Sequence, residues 1–177
     1  MNPVPQALSS QTQTADIWQC LLAAQDLSRF AIQPNWVAWQ SLDGQTVRVH
    51  ANQAPSEGRW PWVKLQGVTE LPGASHGQVT THHYVVETDV DVAHEAALND
   101  WYQNEHLPGL AAVPGTVRAR RYLRTEGRPK WVACYDLTSP ETLERAEWLA
   151  VRHTDWSSRV RPMFQNTFRT MYRRITA

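Results

Sequence analysis

The sequence predicts an α+β fold in which a four-stranded antiparallel sheet carries two helices on one face. Three observations predict it. Residues 79–88, 116–124 and 130–137 are β-branched or aromatic runs bounded by turn residues, as strands are. Residues 91–107 and the stretch after Ser139 have the three- and four-residue apolar spacing of helices. Residues 166–175 then close the chain as a fourth strand. The order strand–helix–strand–strand–helix–strand is the split βαβ, ferredoxin-like arrangement. Such a sheet covers one face with its helices and leaves the other bare, and a bare, partly apolar face wants a partner. Pairing two such faces from two chains gives a dimeric α+β barrel.

Along the chain, residues 1–14 are rich in Pro, Gln, Ser and Thr and read as poorly ordered. Residues 15–32 read as a helix, with Ile17, Cys20, Leu21, Ala24, Leu27 and Ala31 forming one apolar stripe that Pro34 ends. Residues 36–39 and 46–49 form a hairpin around Asp43-Gly44, a strong turn signal between β-prone runs. Residues 60–65 read as an edge strand, because Pro61 has no N–H for a ladder. The Pro/Gly/Ser-rich residues 71–77 are the best linker. The chain therefore divides into an N-terminal extension over residues 1–75, helix plus β-hairpin, and a ferredoxin-like domain over residues 76–177. Trp36-Val37-Ala38-Trp39 echoes Trp131-Val132-Ala133-Cys134, the only hint of a degenerate repeat.

The stretch from Asp91 to Gly115 organises the second region. Asp91 can cap the helix, and Ala93, Ala96, Ala97 and Leu98 favour it. Leu98, Trp101 and Glu105 share a face, and Tyr102 and His106, four apart, share the neighbouring one. Pro108 is expected to stop the helix. That would leave His106 in the last turn, where the helix dipole favours its protonated form. In residues 116–124, Val117, Ala119, Arg121 and Leu123 alternate with Arg118, Arg120, Tyr122 and Arg124. The turn Glu126-Gly127-Arg128-Pro129 joins this strand to the next. Ser139-Pro140-Glu141 reads as a helix start, followed by an apolar side of Leu143, Ala146, Leu149 and Ala150.

Composition narrows the function. The 177 residues carry 17 basic and 17 acidic side chains, so the chain offers no global attraction to nucleic acid or membrane. It has no run of about 18 apolar residues that would span a bilayer. Its first residues lack the layout of a signal peptide, which makes a cytoplasmic location the expectation. Two cysteines, neither in a Cys-x-x-Cys pair, make neither a disulfide framework nor a metal site, and Cys134 reads as a small buried hydrophobe. Nine tryptophans point to a core or pocket rich in flat aromatic walls.

Asn99-Asp100-Trp101-Tyr102-Gln103-Asn104-Glu105-His106-Leu107-Pro108, then Val113-Pro114-Gly115 and Arg118-Ala119-Arg120-Arg121-Tyr122, resembles EthD-like proteins of the dimeric α+β barrel superfamily. Residues 135–140 and 168–174 are similar to the same group. The resemblance spans residues 79–175 and implies a homodimer joined through sheet faces around a pocket for a small hydrophobic molecule. It includes cofactor-free monooxygenases, lactone isomerases, polyketide cyclases and haem-handling enzymes, so it does not name a reaction. The expected chemistry is cofactor-free action on a hydrophobic or aromatic carbonyl compound. His106 would move a proton and Tyr102 would orient the substrate. Trp101, Glu105, His82, Tyr84 and Arg120 would line the ligand site, with the His82 side of its strand facing the lumen and Arg120 suited to a carboxylate. Neighbouring His82 and His83 must point to opposite faces. No spaced set of ligands indicates a metal. Two other readings stand beside the enzyme: a non-catalytic binding or scaffold protein with a structural His106, and a haem protein using His82, His83 or His106 as axial ligand. The basic residues of the strands also have a plain reading, as ion pairs with Glu141, Glu144 and Glu147. The first region could also supply the second sheet itself.

Overall fold

The second half of the chain folds as its periodicity predicts. The computed structural model describes residues 11–56 and 58–176. In it β5 (His82–Asp89), β6 (Thr116–Arg124), β7 (Trp131–Leu137) and β8 (Gln165–Arg174) form antiparallel neighbours in the order β8-β5-β7-β6. The first half contributes β1 (Ile17–Ala23), β2 (Val37–Ser41), β3 (Thr46–Ala51) and β4 (Trp62–Pro72), in the order β4-β1-β3-β2. Each half thus places its strands in the spatial order fourth, first, third, second. β2 pairs with β8 and β4 pairs with β6, so all eight strands close one barrel within a single chain. The sheet face expected to seek another chain is covered by the chain's own first half. Closure removes the free edges and bare face that would have driven pairing between chains.

Several expectations for the first half are corrected. Residues 17–23 are a strand, not a helix, and only a six-residue 3₁₀ turn, Ala24–Arg29, follows. Ile17 and Gln19 are buried on the lumen side, while Cys20 and Leu22 are buried under Phe30 on the outer side. A strand buried on both faces loses its alternation, and its apolar spacing then matches a helix by coincidence. β4 is no edge strand: it runs to Pro72, pairs with β1 and β6, and Pro61 lies just before it. The Asp43-Gly44 hairpin is present, with Gly44 at φ 74°. Thr12 bridges to Glu70 and the Thr14 hydroxyl donates to the Glu70 carboxylate at 2.8 Å, so this part of the leader is anchored. The expectation for residues 1–10 lies outside the described residues. The Trp-Val-Ala echo falls on β2 and β7, which hold different places in their halves, so it does not trace the shared strand order.

The expected linker is a packed corner. Gly73 N donates to Val117 O at 2.9 Å and Ser75 N to Thr116 O at 2.8 Å, and Gly115 N donates to the Ser75 hydroxyl. A Cβ built on Gly73 would overlap the Thr116 carbonyl, which is backbone and cannot swing away. Gly73→Ala is expected to cost about 1–3 kcal/mol, read as a lower urea midpoint. A midpoint unchanged from the parent would show that this corner yields.

Helices cover only the outer face of the second half. α1 (Glu95–Trp101) runs through a π-helical turn, Tyr102–His106, into α2 (Leu107–Ala111). Pro108 therefore does not end the helix. The wider turn, in which Leu107 N donates to Tyr102 O, absorbs the proline at the start of α2. After a 3₁₀ turn, Pro140–Glu144, come α3 (Ala146–Arg152) and α4 (Asp155–Val160); the latter is capped by the Thr154 hydroxyl, which accepts from Ser157 N. Trp148 is the buried residue of α3, whereas Leu149 is exposed. None of the described helices is long and apolar enough to cross a membrane.

Candidate functional site

The π turn decides where the chemistry-bearing residues point. It brings Tyr102 and His106 inward together, beside Trp101 and against the outer face of the sheet. His106 stacks on Trp101, with ring centroids 4.0 Å apart and planes 20° apart. Tyr102 meets the imidazole edge-on at 5.3 Å. From the strands below come Tyr84 and Tyr135, with centroids 6.2 Å apart, and Trp148 packs edge-on against both. These side chains line a cavity of about 30 Å³, rimmed by Arg152, Arg161 and Arg169. That volume holds roughly one or two waters.

His106 Nδ1 and Tyr135 Oη are buried with no hydrogen-bond partner. Unpartnered polar atoms in an aromatic pocket are costly, and they mark where a ligand or water would bond. Burial, then the nearby cations Arg161, Arg152 and Arg121, push the His106 pKa down to about 3. The imidazole is therefore neutral in the resting protein, the opposite of what a terminal helix position implied. The helix continues past His106, so the dipole end is not there, and burial dominates. Burial likewise pushes Tyr102 up to about 12, with Arg121 acting against it, and Tyr135 well above the usual tyrosine range. Both phenols stay protonated and can donate. The Arg121 guanidinium lies 4.1 Å over the Tyr102 ring and donates to Asn99 at 3.1 Å.

The remaining expected residues divide. Trp101 and Tyr84 are part of this pocket. Glu105 serves it from behind: its Oε1 accepts from Trp101 Nε1 at 3.2 Å and from the Thr154 hydroxyl at 2.6 Å, which ties the π turn to the cap of α4. His82 is half-buried at the strand end beside the Thr81 hydroxyl, away from His106. It is His83 that faces the lumen, fully buried with Nδ1 2.7 Å from Asp136 Oδ1. Arg120 is in the lumen too, bonded to Asp136. The parity of β5 was legible, but not which parity faces inward. Among the described residues, the arginines of β6 pair with Asp136, Glu87 and Glu70, and none with Glu141, Glu144 or Glu147.

Sequence reasoning passed over Arg48, His50 and Asp136 and weighed His83 only as a haem ligand; together these are buried polar groups of the lumen. The alternation Val47-Arg48-Val49-His50 was the available signal, since it repeats the polar-apolar pattern of β6. Cys134 is fully buried, and burial pushes its thiol up to about 12, so it is an inert core group. No group of three or more His, Cys, Asp or Glu able to hold a metal occurs among the described residues.

No family model matches the chain, and no curated protein is similar to it. Solved structures are similar in fold. A ferredoxin-fold protein from Listeria monocytogenes, described as related to antibiotic biosynthesis monooxygenases, superposes with TM-score 0.62 at 7% identity, covering 93% of this chain and 97% of its own. An anthrone oxidase-like protein superposes with TM-score 0.59 at 13% identity over 94% of each chain. A haem-degrading enzyme from Listeria monocytogenes gives 0.56 at 8% identity, over 89% of this chain and 98% of that one. At these identities the likeness establishes the fold alone: the chain has the ferredoxin-like α+β barrel architecture of these proteins.

Proposed function

We propose that the pocket beneath the π turn abstracts a proton from a carbon beside the carbonyl, or conjugated with it through a ring, of a hydrophobic, aromatic compound, without a cofactor. The observation that carries this is the unpartnered, buried Nδ1 of His106 beside two phenols that remain protonated. In this reading the substrate C–H bond breaks, its electron pair moves to the carbonyl oxygen, and the proton passes to His106. The phenols of Tyr102 and Tyr135 donate to the oxygen as it gains charge. A neutral imidazole with a pKa of about 3 is a weak base by itself. The enolate formed beside it supplies the counter-charge that favours the imidazolium, and Arg152, Arg161 and Arg169 at the rim favour the enolate. A cavity of about 30 Å³ cannot hold an aromatic ligand, so α3 and α4 must shift outward to admit it.

The Trp101–Pro108 run and the Pro114-Gly115 turn support a place beside EthD-like proteins, and the anthrone oxidase-like neighbour supports a polycyclic ketone as the substrate class. The elements from β5 onward carry the pocket, and β1–β4 close the barrel behind it. A haem is larger than an aromatic ketone and would need a wider opening of the same pocket.

The test is hydrogen–deuterium exchange at the ring methylene of anthrone in deuterated buffer, followed by NMR. Exchange is expected to be accelerated by the parent protein, and His106→Gln is expected to slow it by about 10²- to 10⁴-fold with thermal stability nearly retained. Equal rates in parent and variant, or no acceleration at all, would remove the catalytic assignment. The protein would then read as a binding or scaffold protein with a structural His106. A Soret band on titration with hemin that disappears in His106→Gln would instead favour the haem reading.

A further inference from the structure

We infer that the open end of the barrel lumen is a second ligand site, separate from the His106 pocket, and that it takes a small organic carboxylate. Tyr135 and Asp136, adjacent on β7, lie on opposite sides of the sheet, one in each site. The lumen cavity measures about 300 Å³, at the lower end of small-molecule sites. Trp39, His50, Arg118, Arg120, Asp136 and Arg174 are among its walls.

The polar groups there are built into the fold. Asp136 is 2% exposed and its two oxygens are fully engaged. Oδ1 accepts from His83 Nδ1 at 2.7 Å and Arg120 Nη2 at 2.9 Å; Oδ2 accepts from Arg120 Nη2 at 2.8 Å and from Arg118 Nη2 and Nε at 3.0 and 3.1 Å. Asp136, the carboxylate in this cavity's wall, thus has no acceptor capacity left for a cationic ligand. Donor capacity does remain. Trp39 Nε1, Arg120 Nε and His50 Nε2, on three residues of this cavity's wall, are buried and have no partner. The first two can only donate, and the third can donate in one tautomer. Burial, followed by the neighbouring His83 and Arg48, holds His50 neutral, so the histidine adds no charge of its own.

The charges agree with the donors. Arg118, Arg120 and Arg174 stand against Asp136 in the cavity and Glu70 at 3.5 Å from Arg118. Three cations against two carboxylates leave one positive charge, which a monocarboxylate neutralises. Arg174 makes no ion pair among the described residues and sits over the Trp39 ring at 5.8 Å. Trp39 is itself held flat by stacking on His83 at 4.8 Å. Ile17 and Val37 offer an apolar wall for the carbon part of the ligand. Arg118, 42% exposed along its side chain, marks the way in.

The experiment is calorimetric titration of the full chain with acetate, benzoate and salicylate, with benzamide as the neutral analogue. Benzoate or salicylate is expected to bind, and benzamide to bind at least about tenfold more weakly. Arg174→Gln, at the exposed mouth, and His50→Phe are each expected to weaken binding by about 10- to 100-fold. Imidazole NMR resonances of His50 should shift on titration, and His106→Gln should leave binding unchanged. Water alone filling the lumen is the opposing outcome, shown by no heat and no His50 shift with any of the three carboxylates. Benzamide binding as tightly as benzoate, or binding lost in His106→Gln but kept in Arg174→Gln, would also overturn the assignment. The proton-exchange test of His106 is independent of all these results.

Discussion

Arg48→Met is expected to lower the free energy of unfolding by about 3–5 kcal/mol. Arg48 is completely buried in the barrel, on β3 of the first half. Its guanidinium pairs with Glu87 Oε2 at 2.7 Å on β5, donates to Tyr172 Oη at 3.3 Å on β8, and bonds Gln19 Oε1 on β1. One side chain thus ties both halves together across the lumen. Burial works to raise the Glu87 pKa, but Arg48 and then Arg124 hold it below the ordinary glutamate range. Removing Arg48 leaves that buried carboxylate with Arg124 alone. Removing both partners of a buried pair costs less than removing one, so Arg48→Met with Glu87→Gln should recover most of the loss. Urea unfolding of the parent and of the two variants measures this. A single-variant loss below about 1 kcal/mol would mean that water or a backbone shift already screens the pair.

Acidification from neutral pH is expected to destabilise the protein before its surface carboxylates begin to titrate. His106, His50 and His83 are all buried with lowered pKa values, His106 at about 3 and His50 well below 6.5. Burial is the leading cause for each; for His83 the partner Asp136 opposes it. Above pH 6.5 neither the folded nor the unfolded chain holds these protons, so nothing is lost. As pH falls below 6.5 the unfolded chain binds protons that the folded chain refuses, and stability falls until the folded groups also titrate, near pH 3 for His106. Each such group contributes a slope of up to about 1.4 kcal/mol per pH unit. Asp136 adds to the trend at the acid end. Burial acts to raise its pKa, but Arg120, His83 and Arg118 keep it well below the carboxylate range, so its share is also lost as pH falls. With a stability of about 5–15 kcal/mol, three histidines bring the acid midpoint to between about pH 5 and 3. His106→Gln should flatten the slope between pH 6.5 and 4 by about a third. A stability curve that stays level down to pH 4 would show that these imidazoles reach solvent and protonate in place.

By itself the sequence determined the four strands and covering helices of the second half, the Asp43-Gly44 hairpin, and the closeness of Tyr102 to His106. These rest on forces acting within a few residues: alternation at half-buried strands, glycine at a positive-φ turn, and the pitch of a helix. It also determined that Arg118, Arg120, Tyr122 and Arg124 share a face. What it did not contain was the meaning of that face. Polar residues on one side of a strand ordinarily mean water, but here they line a closed lumen, while the apolar side lies beneath the helices. β1 read as a helix because burial on both faces removes the alternation that identifies a strand. His82 was preferred to His83 because a strand's parity is local, while its inner face is chosen by the sheet that closes over it. The π turn, which absorbs Pro108 and turns His106 inward, is held by the packing of Trp101 against Phe164 and by the Glu105–Thr154 link, contacts between residues distant in sequence. Barrel closure within one chain follows from the pairing of β2 with β8 and β4 with β6, and that pairing is decided only when both halves are folded.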